Sequence, residues 1–401
     1  MSAILVVNSG SSSFKYQLIE VESEEVLASG LVERIGEESG AARHTTPEGS
    51  WTTETPIPDH TAGFRAMLDA FEEHGPSLSA HPLSAVGHRV VHGGKRFHEA
   101  TVVTDLVKIN IEDLSELAPL HNPANLSGIS AAQEAFPGVP QVAVFDTAFH
   151  QTLPPAAYTY AVDTALAEKQ RVRRYGFHGT SFEYVAGATA EFLGAPVSSL
   201  KLIVLHLGNG ASACAIDGGR SVETSMGMTP LEGLVMGTRS GDIDAGVLFH
   251  LHRKTGATFA ELDELLNRRS GLLGLSGTGD MRDVVSAASS GDEAASAALD
   301  VYLHRIRSYV GAYYAQLGHV DAIVFTAGVG ENNALVRAGA LAGLSEVGIT
   351  VDQSLNEAAG SGARVISAES SRVKVLVVPT NEELEIARQS FAAVSIEQQQ
   401  I

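Results

Sequence analysis

The amino-acid sequence predicts an α/β protein made of two similar domains. Predicted strands and helices alternate along its 401 residues, and this length exceeds what one ordinary hydrophobic core accommodates. A unit of apolar strand, small-residue turn and second strand also occurs twice, at residues 4–19 and at residues 202–216. We therefore expect two half-sites that close on one ligand from opposite sides.

The other predicted elements follow the same alternation. Further strands are expected at residues 86–91, 141–145, 321–326 and 373–378. Helices are expected at residues 61–74, 106–117, 123–135, 243–255, 258–267, 293–317 and 381–393. Residues 36–60 are polar and predict a loop or irregular hairpin, and Asn122 is expected to cap the third helix. The predicted domains are residues 1–150 with 384–401, and residues 151–383.

Composition excludes several classes of protein. Hydrophobic residues make up 44% and charged residues 18%, which is typical of a globular chain, and the net charge of −20 disfavours nucleic acid and anionic membranes as partners. The single cysteine, Cys214, has apolar neighbours and is expected to be a packed thiol. A strand begins within three residues of Met1, and no apolar run is long enough to span a bilayer. We expect a cytoplasmic enzyme.

The two repeated turns have the composition of phosphate-binding loops. Asn8–Lys15 and His206–Ser212 are rich in small residues that leave backbone N–H groups accessible to a polyphosphate. A third segment, Gly328–Asn332, follows an apolar strand and precedes a helical segment. Singly, the first turn also fits a serine-rich hairpin with a solvated lysine, and the third fits an ordinary strand-to-helix connection. The three together favour nucleotide binding.

Several charged residues are candidates for contact with an anionic ligand. Asp146 follows a predicted strand, and the carboxyl ends of strands line ligand crevices in α/β sheets. Arg239 and His178 lie in glycine-flanked loops, and Arg89 lies in the strand-like segment His88–Gly94. Three of them also have a structural interpretation: a turn cap for Asp146, a structural or exposed imidazole for His178, and a solvent-facing strand residue for Arg89.

Two further patterns concern metal binding. The helix-start position of Glu382 is explained equally well by the helix dipole, so it does not by itself indicate a metal ligand. His88 and His92 have a spacing that suits zinc on a helix, but their segment is strand-like, so no zinc site is expected there.

Together these segments resemble the acetate kinase family of the acetate and sugar kinase, heat-shock protein and actin superfamily. The resemblance extends nearly from end to end of the chain. The motifs that carry it are Asn8–Lys15, His88–Gly94, Pro119–Pro123, Phe145–His150, Tyr175–Ser181, His206–Ser212, Thr229–Gly233, Gly237–Asp244, Ser270–Gly274, Ala327–Asn332 and Thr380–Leu384.

The resemblance implies a fold and an activity. The implied fold is two domains of a duplicated ribonuclease H-like, actin-like architecture with a nucleotide cleft between them. A homodimer formed through the C-terminal domain is also implied. The implied reaction is reversible transfer of the γ-phosphoryl group of ATP to acetate, giving acetyl phosphate and ADP, with Mg²⁺ as the metal and Mn²⁺ as an alternative.

The resemblance also implies roles for individual residues. Asn8 and Glu382 are the implied metal positions, and the implied catalytic residues are Arg89, Asp146, His178 and Arg239. The implied acetate-binding residues are Arg89, Val91, Leu120, His121, Phe177 and Pro230. The implied nucleotide-binding residues are Lys15, His206, Leu207, Gly208, Asn209, Gly210, Asp280, Met281, Arg282, Gly328, Val329, Gly330, Glu331 and Asn332.

The chain departs from the family pattern at two positions. Phe182 stands where the family usually has histidine, and Ala245 stands where it usually has proline. Both departures put local loop geometry in question rather than the reaction.

An acetate substrate is already ionised at neutral pH, so it needs no general base, and direct in-line displacement is the expected mechanism. Two alternative functions stay open at this point. One is a propionate or butyrate kinase of the same family, and the other is an actin-like or chaperone-like ATPase. The joint presence of Arg89, His178 and Arg239 disfavours the ATPase.

Overall fold

The computed structural model describes residues 2–399. It divides into two compact units, Met1–Phe149 with Asn381–Ile401, and His150–Thr380. The unit boundary near the C-terminus falls at Asn381, whereas the sequence prediction places it at residue 384. Met1, Gln400 and Ile401, which the predicted N-terminal domain includes, lie outside the described residues.

The helices and strands alternate as the sequence predicts. The strands are β1 (Ala3–Ser9), β2 (Ser13–Glu20), β3 (Glu25–Glu33), β4 (Gly40–Thr46), β5 (Gly49–Thr55), β6 (Leu83–Val90), β7 (Thr101–Val102), β8 (Gln141–Phe145), β9 (Lys201–Leu207), β10 (Ala211–Asp217), β11 (Arg220–Thr224), β12 (Ala322–Thr326), β13 (Arg364–Val365) and β14 (Lys374–Val377). The helices are α1 (His60–His74), α2 (Asp105–Asp113), α3 (Asn122–Ala135), α4 (Pro155–Tyr158), α5 (Thr164–Lys169), α6 (Gly179–Leu193), α7 (Gly246–Thr255), α8 (Phe259–Arg268), α9 (Gly271–Ser276), α10 (Met281–Ser289), α11 (Glu293–Leu317), α12 (Ala327–Asn332), α13 (Ala334–Leu341), α14 (Gln353–Glu357) and α15 (Glu382–Gln399).

The two sheets share one topology. The first unit has the strand order β5-β4-β3-β2-β1-β6-β8-β7, and the second has β11-β10-β9-β12-β14-β13. In each, an antiparallel pair is extended by two parallel strands: β6 and β8 beside β1, and β12 and β14 beside β9. The predicted α/β class with a duplicated architecture is confirmed.

Helices cover both faces of the first sheet. Leu5, Val7 and Val86 form one core with residues of α1 and α3. The next residue after Val86, Gly87, points to the opposite face because side chains alternate along a strand. A Cβ at Gly87 would lie 2.4 Å from the Ser390 hydroxyl oxygen, so α15 lies close against that face. This packing brings the start of α15 towards the carboxyl ends of β6 and β8.

Two local predictions differ from the structure. Residues 40–55 form the regular hairpin of β4 and β5, which lacks an apolar alternation because β5 is a largely exposed edge strand. Asn122 does not cap α3. Its side chain instead bonds to the main chain of His92, accepting from the His92 N–H at 3.1 Å and donating to the His92 carbonyl at 3.0 Å. A buried loop amide attracts this side chain more strongly than the helix end does, because the helix end is open to water.

Candidate functional site

The first small-residue turn joins β1 and β2 in the first unit. It is closed by a hydrogen bond of 2.7 Å from the Gly10 N–H to the Ser13 carbonyl, and Asn8 and Lys15 are paired across the two strands. Both side chains line a cavity of about 300 Å³ together with Arg43 and Glu383. The turn therefore presents an amide and an exposed lysine to the same space.

Arg89 and Asp146 are brought together by the carboxyl ends of two neighbouring parallel strands. Arg89 is near the end of β6, and Asp146 follows β8. The guanidinium donates through Nε and Nη2 to the two carboxylate oxygens at 2.9 and 2.8 Å. Asp146 is 2% exposed, and its charge raises the pKa of Arg89 further. The two residues thus form a fork-to-fork ion pair that orients the arginine.

Glu382 begins α15 and belongs to the same charged group. The pKa of Glu382 is raised to about 6, mainly by burial and also by the negative charges of Asp146 and Glu383, while Arg89 and Lys15 oppose the rise. The helix start is fixed by Asn381, whose side-chain oxygen accepts from the Leu384 N–H at 3.0 Å. Three carboxylates here face two cationic side chains, so the group is short of positive charge.

This group has the donor chemistry of a hydrated Mg²⁺ site. Mg²⁺ prefers oxygen ligands, keeps several waters and uses one or two carboxylates. Asn8 and Glu382 offer an amide oxygen and a carboxylate, and the surplus negative charge favours a cation. Within residues 2–399, no cluster of three or more His, Cys, Asp or Glu side chains is placed to hold a metal ion. The predicted pair is therefore a candidate only for a metal with water ligands.

The predicted acetate-binding residues of the first unit have different exposures. Val91 is half-buried after β6, and its N–H donates to the Asn125 side-chain oxygen at 3.1 Å. Leu120 is 58% exposed, and His121 is exposed just before α3. Phe177 and Pro230 belong to the second unit, where Phe177 is buried.

His178 is held in a strained conformation at the start of α6. Its φ angle is 57°, in the left-handed region that non-glycine residues seldom adopt. One ring nitrogen, Nδ1, is 2.8 Å from the Ser212 hydroxyl, and the ring stacks on that of His206 with the centroids 4.2 Å apart. His206 is in turn bonded to the Ser181 hydroxyl at 2.8 Å. The imidazole of His178 is thus fixed on both the second glycine turn and strand β9.

Arg239 lies against that same turn. A Cβ at Gly210 would lie 2.9 Å from Nη2 of Arg239 and 3.6 Å from the His178 ring. The guanidinium donates from Nη1 to the Pro230 carbonyl at 2.7 Å, and burial lowers the pKa of Arg239. Among the ion pairs of residues 2–399, none involves Arg239. A half-buried cation without a counter-ion is a ready site for an anionic group.

The second unit contains a cavity of about 600 Å³ next to these residues. Eight predicted nucleotide-binding residues line it, namely Gly208, Asn209, Asp280, Met281, Arg282, Gly328, Val329 and Asn332. The predicted residues His206, Leu207, Gly210, Gly330 and Glu331 are not in this lining. The first two are buried in or at the end of β9. Lys15, also predicted, belongs to the first unit.

Sequence reasoning missed five lining residues. They are Gly237, Leu272, Gly279, Tyr302 and Asn333. Gly237 and Leu272 fall in motifs that carry the family resemblance, so those motifs could have identified them as candidates. Tyr302 has none, because it is one aromatic residue in the long helix α11 and only the packing of that helix brings it to the cavity.

Two arginines shape the edges of this cavity. Arg282 donates from Nη2 to Asp280 at 2.5 Å, and this contact lowers the pKa of Asp280 to about 2. Arg337 is 2% exposed and donates from Nη1 to the carbonyls of Gly330 and Glu331 at 3.0 and 2.8 Å. Sequence reasoning missed Arg337, which binds carbonyls of α12, the helix that the predicted third segment Gly328–Asn332 forms.

Within residues 2–399, no helix is both long enough and apolar enough to cross a bilayer.

Comparisons with known proteins agree with this geometry. A sequence profile of the Acetokinase family matches residues 3–388. The chain is 68% identical over 395 residues to a protein named acetate kinase from Leifsonia xyli, covering 98% of this chain and 100% of that one. Two crystal structures superpose closely. They are the acetate kinase of Porphyromonas gingivalis (TM-score 0.94, 44% identity, 98% and 100% of the two chains) and a propionate kinase of Francisella tularensis (TM-score 0.91, 39% identity, 97% and 99%).

The match extends over nearly the whole chain, and the sheet topology and the ordered motifs fall within it. The resemblance found in the sequence is therefore confirmed, and the chain belongs to the acetokinase family.

Proposed function

We propose that this protein is an acetate kinase that transfers the γ-phosphoryl group of ATP to acetate and releases acetyl phosphate and ADP. The observation that carries the proposal is the convergence of an unpaired Arg239 and a fixed His178 on Gly210. Asn209, the residue before Gly210, lines the 600 Å³ cavity. The names of the full-length relatives support the same activity.

The chemistry requires cations more than it requires a base. Acetate is ionised at neutral pH, because carboxyl groups titrate near 4. A carboxylate oxygen forms a bond to the γ-phosphorus while the bond from that phosphorus to the β,γ-bridging oxygen breaks, and ADP leaves with that oxygen. Bringing two anions into contact calls for oriented positive groups. Retention of configuration at a chiral γ-phosphorus would rule out this single displacement.

Each unit has its own part in the proposed reaction. In the first unit, Asp146 occupies Nε and Nη2 of Arg89, which leaves Nη1 for the acetate carboxylate. Asp146 is thus an orienting residue rather than a base. In the second unit, Arg239 binds the transferring phosphoryl group, and His178 stabilises its developing charge.

We assign the metal to the first unit. Asn8 and Glu382 would hold Mg²⁺ together with water, and the bound ion would neutralise charge on the phosphate oxygens. The surplus of carboxylates around Glu382 supports this assignment. Mn²⁺ is expected to substitute for Mg²⁺ because it accepts similar oxygen ligands.

Formation of a hydroxamate from the acyl phosphate tests the proposed activity directly. The purified protein is incubated with ATP, Mg²⁺, hydroxylamine and acetate, propionate or butyrate. We expect the highest kcat/KM with acetate. Higher kcat/KM with propionate would favour the second candidate, which the similarity to the propionate kinase of Francisella tularensis supports. Hydrolysis of ATP without any acyl hydroxamate would contradict both.

We also propose a homodimer formed through the second unit. Helix α7 has no buried residue, and its apolar side chains include Phe249, which is 57% exposed, and Val247, which is 39% exposed. Phe259, just after α7, is 76% exposed. A helix gains its stability mainly from packing an apolar face, and a second copy of this chain would cover this one. Light scattering of Phe249→Glu should show a monomer where the unchanged protein is a dimer.

Cytoplasmic localisation remains a prediction. It suits an enzyme that uses ATP, and fractionation of cells that produce the protein would check it.

A further inference from the structure

Two carboxylates stand near Arg239 in the sequence, and neither forms an ion pair with it. Glu232 and Asp242 lie on either side of it in the same loop, at seven and three residues' distance along the chain. Pairing with either would neutralise the guanidinium and occupy the donors that an anionic substrate needs. The structure shows what holds these two carboxylates elsewhere.

Each carboxylate is bound by one arginine and one tyrosine. Glu232 accepts from Arg174 Nη2 at 2.6 Å and from the Tyr160 hydroxyl. Asp242 accepts through Oδ2 from the Tyr309 hydroxyl at 2.8 Å and from Arg305 Nη1 at 3.3 Å. We call these the Glu232 triad (Tyr160, Arg174, Glu232) and the Asp242 triad (Tyr309, Arg305, Asp242).

The two triads are electrostatically connected. The pKa of Tyr309 is raised by burial and by Asp242, and the charges of Arg174 and Glu232 also act on it. Tyr309 and Arg305 are one turn apart on α11, so one helix supplies both partners of Asp242. Arg174, which also lies 3.9 Å from Glu223, and Arg305 thus pair with these carboxylates, and Arg239 is not part of the network.

The Asp242 triad also fixes the carbonyl that Arg239 uses. The other oxygen of Asp242, Oδ1, accepts from the Gly233 N–H at 2.8 Å, and the Asp242 N–H donates to the Gly233 carbonyl at 2.9 Å. Gly241 has a φ of +68°, and a Cβ there would lie 2.4 Å from the Leu234 carbonyl oxygen, so the loop closes tightly at this point. This reciprocal bond ties down the segment that contains Pro230, whose carbonyl accepts from Arg239 at 2.7 Å.

We propose that the Asp242 triad, supported by the Glu232 triad, is a positioning device that keeps loop carboxylates away from Arg239 and holds its guanidinium ready for the substrate phosphoryl group. The inference rests on the role of Arg239 in the proposed function. None of the six triad residues is proposed to contact the reacting atoms. They act through the backbone of residues 230–242 and through charge.

Two conservative substitutions separate positioning from folding. Asp242→Asn keeps an acceptor for the Gly233 N–H but removes the charge that pairs with Arg305. Tyr309→Phe deletes a single oxygen and leaves the ring in place. Ser308→Ala is the matched control, because Ser308 is exposed on the same helix and its hydroxyl bonds only to the His304 carbonyl.

We expect kcat to fall about 10- to 100-fold in Asp242→Asn and less in Tyr309→Phe, because a displacement of about 1 Å at a catalytic group costs rates of that order. The KM for ATP should change less than twofold, since other segments form most of the cavity. The Ser308→Ala control should match the unchanged protein. If Asp242→Asn does not fold, Tyr309→Phe decides the outcome.

A double-mutant cycle with Arg239→Ala distinguishes an effect that acts through Arg239 from a purely structural effect. If the triad acts through Arg239, adding Asp242→Asn to Arg239→Ala causes no further loss in residual hydroxamate formation. An equal fold-loss with and without Arg239 would overturn the inference, and so would an unchanged kcat in both conservative variants. Full activity in Arg239→Ala alone is a different result, because it would refute the proposed role of Arg239 itself.

Discussion

Arg89 and Arg239 have the same charge but opposite environments. Arg89 is paired fork-to-fork with a buried carboxylate, whereas Arg239 bonds to one backbone carbonyl. A residue whose charge is unpaired contributes little to folding and is available to a ligand. Substitution of the two arginines should therefore affect stability and catalysis in different proportions.

We predict that Arg239→Ala lowers kcat about 10²- to 10³-fold, the usual loss for one preorganised electrostatic donor, without lowering the melting temperature. Arg89→Ala should lower kcat similarly and also destabilise the fold by about 3 kcal/mol, because it leaves the buried Asp146 unpaired. Steady-state kinetics and thermal unfolding measure the two effects. Equal destabilisation by both variants would contradict the difference in environment.

Gly210 gives a second prediction at this scale. Its backbone is of ordinary conformation, but an added Cβ would lie 2.9 Å from Arg239 Nη2. Gly210→Ala should displace the guanidinium and lower kcat about 10²-fold while the protein stays folded. Gly187→Ala in α6 is the control, because a Cβ there meets nothing within 4 Å. Normal turnover in Gly210→Ala would show that Arg239 is not held against this turn.

At the scale of an element, the short helix α12 depends on a residue outside it. Six residues are too few for a helix that is stable alone. Ala327 at its start has a φ of 63°, and its last carbonyls are satisfied by Arg337 on α13. Arg337 itself is held by Asn356 through Nε at 2.7 Å. Burial lowers the pKa of Arg337 to about 10, and four hydrogen bonds from its guanidinium, to Asn356, Gly330 and Glu331, offset the cost of burying the charge.

Arg337→Met should therefore disturb the 600 Å³ cavity, where we propose that the nucleotide binds, and leave the proposed acetate-binding residues unaffected. The backbone carbonyls of Gly330, Glu331 and Asn356 would each lose a donor, at a cost of about 1–3 kcal/mol for each buried group left unsatisfied. We expect a lower melting temperature and a KM for ATP raised several-fold, with the KM for acetate unchanged. Arg364→Met is the comparison, since Arg364 reaches the Glu331 carbonyl at only 3.4 Å. A KM for ATP equal to that of the unchanged protein would contradict this prediction.

At the scale of the whole molecule, buried His88 makes stability depend on pH. It is 2% exposed and bonded to Gln141 at 2.8 Å, and burial lowers the pKa of His88 to about 4 from its ordinary value near 6.5. Between these values the unfolded chain binds the proton and the folded chain does not. The stability from this group is fully present above pH 6.5 and is lost as the pH falls towards 4.

We predict that lowering the pH from 7 to 4.5 reduces the free energy of unfolding by about 2–3 kcal/mol through His88 alone. One unit of pKa difference corresponds to about 1.4 kcal/mol. Denaturant unfolding of His88→Gln and of the unchanged protein at both pH values isolates the contribution of His88, because carboxylates elsewhere titrate equally in the two proteins. The difference in stability between the two proteins should narrow or reverse at low pH. A difference that is independent of pH would contradict a neutral, buried His88.

Sequence reasoning reached different depths at different residues. The phosphate-type turns and Arg239 stood out because glycine and charge are local signals, and the ordered motifs identified the family that the comparisons confirm. The hairpin at residues 40–55 and the role of Asn122 did not stand out. An exposed edge strand has no apolar alternation by which to recognise it. The Asn122 side chain binds a loop instead of capping its helix only because the folded chain packs that loop against it.

The sequence by itself determined the α/β class, the duplicated strand–turn–strand unit and the family, because hydrophobic period and short motifs are properties of neighbouring residues. Only the tertiary structure decided which charges pair. Asp146 meets Arg89 from a strand more than fifty residues away, and α11 supplies the tyrosine and arginine that bind Asp242. Whether an arginine is paired with a carboxylate or available to a substrate depends on such distant contacts, which no local pattern encodes.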